Sequence, residues 1–287
     1  MRRSLFLALC GLCALAAVRP GAAFAAGDIH TVDFRNFVYH PSCADFESQE
    51  AQVPVRVTDG RFEAAAGSDL EGVYFEVEGA VLYGDLTGDG QDEAVLRSLC
   101  STGGTGRFDE GFVYGMKDGK PVLLGRIPGG DRASGGVRCV RIEDGALKVE
   151  RIGNESGAAR GIDFIDTETW KLQGGRLAEA GKAARRSLGS TSGAKPIRFA
   201  KGASSGTVTG TTNGVDAYVL QAREGQTMNV KVTSPQKNAT FEILIDDYTV
   251  SCRTTEWTGD LPASGTYRLF VLATRGSAAY EMTVGIR

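Results

Sequence analysis

Apolar and polar residues alternate along most of this chain, in short segments that end at turns. In one such segment Met228, Val230 and Val232 are separated by polar residues. A two-residue period places one set of side chains in a core and the other toward solvent, as in a β-strand. Gly is frequent, with 39 residues, and Pro is rare, with 8. This pattern predicts a mainly β protein with antiparallel strands joined by glycine-containing turns.

Short runs rich in Val, Ile, Tyr and Phe mark the predicted strands. In the N-terminal part they are residues 34–39, 53–57, 73–77, 94–99, 111–116, 122–127, 137–143, 146–152 and 162–171. In the C-terminal part they are residues 196–199, 206–211, 218–222, 228–233, 241–245, 257–261, 267–272 and 280–286. Asp-Gly pairs at 118–119 and 144–145 predict tight hairpins, because Gly readily adopts a positive φ.

A change of composition divides the chain into two predicted domains. Residues 179–196 read EAGKAARRSLGSTSGAKP, which has little to bury and is typical of a linker. Before it, residues 26–178 form an antiparallel, β-rich acidic domain with a net charge of −10; after it, residues 197–287 carry +1. Eight short strands in the second domain predict a small β-sandwich or barrel.

The first 25 residues have the pattern of a secretory signal peptide. Arg2 and Arg3 precede an apolar run that is too short to span a bilayer, and small residues follow at Ala23-Phe24-Ala25. We therefore expect a periplasmic or secreted protein of bacterial type, with no transmembrane segment. Without this peptide the net charge is −6, which argues against nucleic acid or an anionic membrane surface as the partner. The sequence does not indicate an oligomeric state.

Four cysteines remain after the signal peptide. In an oxidising compartment an even number favours disulfides, and four cysteines allow three pairings. We expect Cys43 to pair with Cys100, since both lie in the N-terminal domain. Cys139 and Cys252 would either join the two domains or remain buried thiols.

Residues 84–95, GDLTGDGQDEAV, hold the clearest chemical motif. Oxygen ligands at alternate positions of a glycine-containing loop suit calcium, a hard cation. The candidate ligands are Asp85, Thr87, Asp89, the carbonyl of Gln91, and Glu93. The segment resembles the calcium loops of FG-GAP and related repeats, which implies a structural Ca²⁺ site inside β structure. The alternative is an Asp/Gly turn that holds no metal.

Catalytic signatures do not emerge from the sequence. His30 and His40 are the two histidines, and neither lies in a nucleophile motif such as G-x-S-x-G. The Gly-rich segment 101–106 lacks the Lys-Ser/Thr ending of a phosphate loop. We therefore expect a binding protein and not an enzyme.

The C-terminal third resembles a known family in the order and spacing of its residues. The features shared are Phe199, Lys201-Gly202, Gly210, Gly225-Gln226, and LPASG at 261–265 followed by Thr274-Arg275. Over residues 197–287 these are similar to the periplasmic inhibitors of g-type lysozyme. Two loops are shorter than in that family, at 213–217 and 275–279, and they lack its second arginine and a tyrosine.

That resemblance implies a β-sandwich whose loops enter the lysozyme cleft. Arg275 matches an arginine that the family places on such a loop, and Ser264 and Gly265 match its LPASG turn. The partner-binding residues implied are thus Arg275, Ser264 and Gly265, and the partner is g-type lysozyme. Arg275 could instead be a solvated loop residue. The alternative function is a non-inhibitory envelope binding or stalk module with a structural calcium site.

Overall fold

β-Strands make up most of the computed structural model, which describes residues 27–44, 53–103, 107–131, 135–153, 163–187, 193–245 and 248–287. The prediction of a mainly β protein is confirmed. The predicted signal peptide lies outside the described residues. Within them, no helix has the length and hydropathy needed to cross a membrane.

The bounds of the elements follow the chain from end to end. The N-terminal elements are 3₁₀ turns at Ile29–Thr31 and Ser42–Ala44 and strands β1 (Val38–Tyr39), β2 (Val55–Arg56), β3 (Arg61–Glu63), β4 (Val73–Gly84), β5 (Glu93–Thr102), β6 (Arg107–Lys117), β7 (Lys120–Asp131), β8 (Val137–Glu143), β9 (Ala146–Gly153), β10 (Phe164–Gln173), β11 (Arg176–Glu179) and β12 (Ala184–Ser187). The C-terminal strands are β13 (Lys195–Pro196), β14 (Ser205–Thr212), β15 (Val215–Ala222), β16 (Thr227–Thr233), β17 (Ala239–Ile245), β18 (Tyr248–Thr254), β19 (Glu256–Asp260), β20 (Gly265–Ala273) and β21 (Ala278–Ile286).

These strands form four main sheets. Sheet I has the order β3-β4-β5-β6-β7, and sheet II has the order β11-β10-β9-β8 with β12 also paired to β10. Sheet III has the order β13-β15-β20-β17-β18, and sheet IV has the order β14-β21-β16-β19. Both predicted Asp-Gly hairpins are confirmed, because φ is positive at Asp118, Gly119, Asp144 and Gly145.

The sheets stack in the order I, II, III, IV. One apolar core lies between sheets I and II, a second between sheets III and IV, and a third between the N-terminal segment and the outer face of sheet I. A smaller core joins sheet II to sheet III through Ile165, Leu244, Phe270 and Leu272. The apolar runs in β17 and β20 therefore have a simple cause, since these strands are buried on both faces.

Part of the predicted linker is a strand. Residues 184–187 form β12, which pairs antiparallel with residues 164–167 of β10. Arg185 lies 2.7 Å from Asp166 and its guanidinium stacks 3.5 Å from the centre of the Phe164 ring. The segment looked unstructured because it has few apolar residues. Arg185 is instead fixed by partners on β10, whereas Arg186 contacts Glu242 of β17 at 3.0 Å.

The C-terminal unit has a strand that the prediction of eight strands missed. This strand is β18, an edge strand of sheet III whose register with β17 is irregular. Its sequence, YTVSCRT, is mostly polar, so periodicity alone does not identify it. Cys252 lies on it and forms a disulfide with Cys139 of β8, with Cα atoms 6.0 Å apart.

The expected pairing of Cys43 with Cys100 is confirmed. Cys43 is bonded to Cys100, which attaches the 3₁₀ turn at Ser42–Ala44 to β5. The Cys139–Cys252 bond settles the alternative left open by the sequence, and it joins sheet II to sheet III covalently. The N-terminal and C-terminal sheets are thus linked by a disulfide as well as by packing.

A cluster of buried charges lies beside that disulfide. The Arg138 side chain is fully buried, with Nη1 2.7 Å from Glu150 Oε2 and Nη2 3.0 Å from Glu242 Oε2. Further arginines reach the same two carboxylates from β8, β12 and β18; they are Arg141, Arg186 and Arg253. Burial alone would raise the pKa of Glu242, but the surrounding guanidiniums hold that pKa below its ordinary value.

Candidate functional site

Three connections meet at one end of the C-terminal sandwich. They are residues 213–214 between β14 and β15, residues 234–238 between β16 and β17, and residues 274–277 between β20 and β21. Main-chain hydrogen bonds join them, because the N–H of Ala273 donates to the Gly214 carbonyl at 3.0 Å and that of Thr274 to the Asn238 carbonyl at 2.8 Å. We call these three connections, together with Val215, the Arg275 end.

Asn238 fixes the Arg275 end from within. Its residue exposure is 4%, and its side-chain amide donates to the carbonyls of Arg275 at 2.9 Å and Ser277 at 3.0 Å. Its side-chain oxygen accepts a hydrogen bond from Ser234 Oγ at 2.7 Å. A buried amide with all these partners holds two loops in one arrangement. The loop that presents Arg275 therefore has one defined conformation.

Arg275 itself is exposed, and its guanidinium is oriented. Its Nη2 donates to the Gln236 carbonyl at 2.9 Å, and Gly276 follows with a φ of +55°, which favours glycine. A guanidinium has five N–H donors in a fixed plane, so it retains donors for a second partner. The side chain is thus positioned before any partner arrives.

The charge of the Arg275 end is positive. Lys237 is also exposed there, with a φ of +51°, and the three connections contain no Asp or Glu. Val215 adds an apolar contact surface, because 37% of it is exposed, and it is among the few exposed large apolar residues described. A cationic surface with an apolar element is suited to an acidic cleft.

An open groove runs beside this end on sheet IV. It is lined by Thr209, Gly210, Thr211, Thr233, Ser234, Pro235, Ala279, Tyr280 and Glu281. One of the lining residues, Tyr280, takes part in a chain of hydrogen bonds: its hydroxyl lies 2.6 Å from that of Tyr218 and donates to Asp216 at 2.5 Å. Burial and these hydrogen bonds raise the pKa of Tyr280. A Cβ at Gly210 would lie 2.5 Å from the Tyr280 hydroxyl, so a larger residue there would displace that hydroxyl.

The aromatic residues of this unit belong mainly to its core. Tyr267 and Tyr280 are buried between sheets III and IV, and Trp257 packs against the same core while remaining half-buried. Their arrangement favours packing over a platform for a sugar ring.

Ser264 and Gly265 lie at the opposite end of the sandwich from Arg275. Strand β20 separates them, and its nine residues span roughly 30 Å. Ser264 Oγ accepts a hydrogen bond from the Glu224 main-chain N–H at 2.9 Å, and Gly265 pairs with Ala222. The structure therefore does not bring the three predicted partner-binding residues together. Ser264 and Gly265 shape a turn, and only Arg275 belongs to the Arg275 end.

The predicted calcium loop connects β4 to β5. Asp85 accepts hydrogen bonds from the main-chain N–H groups of Gly88 and Gly90 at 2.6 and 2.9 Å, which lower its pKa. Glu93, which is buried, accepts from the N–H groups of Leu86 and Thr87 at 2.7 and 3.2 Å, although burial raises its pKa.

The loop conformation is thus held by its own carboxylates. Asp89 accepts from the Gln91 N–H at 2.8 Å, and Thr87 Oγ1 lies 3.5 Å from Asp85 Oδ1. In the part of the chain that the structure describes, no three His, Cys, Asp or Glu side chains converge as metal ligands. Calcium binding by this loop stays a prediction.

Comparison with solved structures returns periplasmic lysozyme inhibitors. PliG of Aeromonas hydrophila, an inhibitor of g-type lysozyme, is 30% identical over 33% of this chain and 96% of its own, with a TM-score of 0.31. PliG of Salmonella Typhimurium is 28% identical over 32% and 96% of the two chains, with a TM-score of 0.26. A PliG mutant from Escherichia coli is 27% identical over the same shares, with a TM-score of 0.27. No family model and no curated protein matches this chain.

The sequence pattern missed two parts of the site and its surroundings. Asn238 and Lys237 lie in a polar loop, and nothing in their spacing marks one as buried and the other as exposed. The charge cluster did leave a signal, because Glu242 interrupts the apolar run of β17, FEILI. A charged residue in the middle of a buried strand indicates a buried ion partner.

Proposed function

We propose that this protein is a periplasmic or secreted binding protein that inhibits g-type lysozyme with the Arg275 end of its C-terminal sandwich. The observation that carries the proposal is the exposed, oriented guanidinium of Arg275 beside exposed Lys237 and Val215. The residue-by-residue resemblance of segment 197–287 to inhibitors of this enzyme names the partner. The two disulfides suit an oxidising compartment outside the cytoplasm.

The proposed mechanism is charge and shape complementarity. Glycoside hydrolases cleave with side-chain carboxylates at the base of a cleft. A planar guanidinium can donate two parallel hydrogen bonds to such a carboxylate, and this pairing is strong once water is excluded. Val215 would supply apolar contact and Lys237 a second cation at the rim. The inhibitor would occupy the cleft without undergoing chemistry.

The position of Lys237 matters because the loop after Arg275 is shorter than in the inhibitors that this segment resembles. The loop after Arg275 returns to β21 within a few residues and carries no second arginine. Lys237 comes from the neighbouring connection, and both residues are tied to the same framework through Asn238 and Gln236. We propose that Lys237 provides the second positive charge of the contact surface.

The test is inhibition of a purified g-type lysozyme by residues 26–287 of this protein, both domains included. Hen c-type lysozyme is the control enzyme. The whole chain is used because the N-terminal sheets cover one face of the sandwich. The expected result is that the g-type lysozyme is inhibited and the c-type lysozyme is not. Absence of inhibition at micromolar concentrations of this protein would contradict the proposal; a dissociation constant of about 1 μM corresponds to roughly −8 kcal/mol of binding free energy.

A second candidate function is a non-inhibitory envelope binding or stalk module. The observation that favours it is the firm attachment of sheet III to sheet II through the Cys139–Cys252 bond and the buried charge cluster. In that case the sandwich would be a rigid spacer, and binding would reside in the N-terminal sheets. Failure of lysozyme inhibition together with retained folding would be the outcome that favours it.

A further inference from the structure

The disulfide between Cys139 and Cys252 borders a small pocket between β4, β5, β8 and β18. This pocket has a volume of roughly 170 Å³. Its lining includes Gly79, Ala80, Thr249, Ser251 and both cysteines. Cys139 is buried, with an exposure of 1%, whereas Cys252 is half-buried. Cys252 is therefore the more accessible partner of the bond.

The Cys43–Cys100 disulfide is more deeply buried. Its two cysteines have exposures of 3% and 1%. Both belong to the apolar core on the outer face of sheet I, together with the rings of Tyr39, Phe75 and Phe112. A thiolate has to reach a sulfur atom to break a disulfide, so access affects the rate of reduction. The protein thus holds one disulfide that a small thiol can approach and one that its core protects.

Strand β4 is interrupted where it borders the pocket. Its register with β5 shifts between Glu78 and Leu82, and Gly79 has a φ of +71°, which favours glycine. Ala80 lies within this bulge and is exposed. A bulge redirects the strand locally, and here it leaves a short side chain at the edge of the pocket. A large side chain at position 80 would narrow the approach to the disulfide.

Both cysteines lie on edge strands, which their bond holds together. Strand β8 is an edge of sheet II and β18 is an edge of sheet III. Arg253 follows Cys252 with a φ of +20°, a conformation that residues with side chains rarely adopt. Such a residue persists only where its surroundings fix it. Here they include the neighbouring disulfide and the ion pairs of Arg253 with Glu150 and Glu242 at 3.0 and 3.3 Å.

We propose that Cys139–Cys252 is a thiol–disulfide exchange site at which a dithiol releases β18 from β8. A thiolate of the dithiol attacks Cys252 Sγ and forms a mixed disulfide, while Cys139 leaves as a thiolate and takes a proton from water. The second thiol of the same molecule loses its proton and attacks its own bound sulfur, which closes a disulfide in the reagent and releases the Cys252 thiolate. The dithiol loses two electrons, and the protein disulfide gains them. Once the bond is broken, β18 is free to relax at Arg253.

The rate of reduction by dithiothreitol, a small dithiol, tests the site in folded residues 26–287. Free thiols are alkylated with N-ethylmaleimide at intervals, and peptide mass spectrometry locates the modified cysteines. Cys139–Cys252 is expected to be reduced about tenfold faster than Cys43–Cys100, because its access is better. Equal rates, or faster reduction of Cys43–Cys100, overturn the proposal.

Two matched substitutions test the route of attack. Ala80→Trp places a large ring at the edge of the pocket and is expected to slow reduction of Cys139–Cys252 about tenfold, with no change for Cys43–Cys100. Ala66→Trp, in the exposed connection between β3 and β4, is the control and should leave both rates unchanged. An unchanged rate for Cys139–Cys252 in folded Ala80→Trp contradicts attack through this pocket.

Hydrogen exchange of backbone amides tests the release of β18. Selective reduction of Cys139–Cys252 is expected to raise exchange in β8 and β18 about tenfold and to leave sheet IV unchanged, because the loosening is local. The double variant Cys139→Ser/Cys252→Ser should reproduce this result without a reductant. Unchanged exchange in β18 of both the reduced protein and the double variant overturns the release. None of these measurements uses lysozyme, so they stand or fail independently of the proposed inhibition.

Discussion

The covered face and the exposed loop end of the C-terminal sandwich are built from different residues. The outer face of sheet III is covered by sheet II and carries Glu242, Leu244 and Phe270, with a disulfide beside them. The Arg275 end carries mostly polar residues together with Val215, and its loops are held by the buried amide of Asn238. The covered face therefore sets stability, while the loop end can change its contacts without unfolding the sheet.

This difference limits which surface of the sandwich can meet a partner. A protein that binds at the outer face of sheet III would first have to displace sheet II and break a buried charge cluster. The Arg275 end needs no such rearrangement, because its loops are already ordered. Preorganised loops lose less conformational entropy on binding, which favours affinity.

The largest expected effect is at the covered face. Glu242→Ala removes a fully buried carboxylate that contacts Arg138, Arg186 and Arg253. Removing one partner leaves buried guanidiniums uncompensated, so we expect a loss of about 3–5 kcal/mol in the free energy of unfolding. Urea denaturation followed by tryptophan fluorescence measures it.

Glu256→Ala is the matched control for that measurement. Glu256 forms an exposed ion pair with Lys231 at 3.2 Å, and such pairs contribute about 0–1 kcal/mol. Equal effects of the two substitutions would mean that the buried cluster does not stabilise the contact between sheets II and III. At temperatures where Glu242→Ala is folded, its inhibition of g-type lysozyme should equal that of the unaltered chain.

A smaller effect on stability is expected at the loop end, together with a loss of inhibition. Asn238→Asp keeps the acceptor for Ser234 but loses the two hydrogen bonds donated to the carbonyls of Arg275 and Ser277. Both carbonyls would then face a buried carboxylate oxygen, so we expect a loss in unfolding free energy of at least the two lost bonds, about 1–3 kcal/mol. The loop would no longer hold Arg275 in place. Unaltered inhibition by Asn238→Asp would show that loop order does not matter for binding.

The smallest expected effect concerns the predicted calcium loop. If Asp85 and Glu93 bind Ca²⁺, millimolar calcium should raise the melting temperature over that in chelator, since a ligand of the folded state stabilises it. Asp85→Asn should abolish the difference, whereas Asp118→Asn in the β6–β7 hairpin should retain it. Equal melting temperatures of the unaltered chain in calcium and in chelator would remove calcium from the account.

Local patterns predicted the strands well and the contacts between sheets poorly. Alternation and Asp-Gly turns identify the hairpins because both act over a few residues. The attachment of sheet II to sheet III depends on Arg138 and Glu242, which are 104 residues apart, and on β12, which has few apolar residues. Periodicity holds no information on such long-range pairs.

The candidate site was predictable only in part, for the same reason. Arg275 could be found from its place after the LPASG turn and β20. Its neighbours Lys237, Asn238 and Val215 come from other connections, and only the folded sandwich brings them together. Ser264 belongs to the LPASG motif itself and lies at the other end of β20 from Arg275. Proximity in sequence was therefore a poor guide to proximity in space.

The most direct test of the central claim compares two arginines at opposite ends of the sandwich. Arg275→Ala and Arg223→Ala both remove an exposed guanidinium, and inhibition constants for a g-type lysozyme are measured with the whole chain. We predict that Arg275→Ala raises the inhibition constant roughly thirtyfold, as for a hot spot of about 2 kcal/mol, and that Arg223→Ala leaves it unchanged. Equal inhibition by the two variants, or a larger loss in Arg223→Ala, would contradict the account.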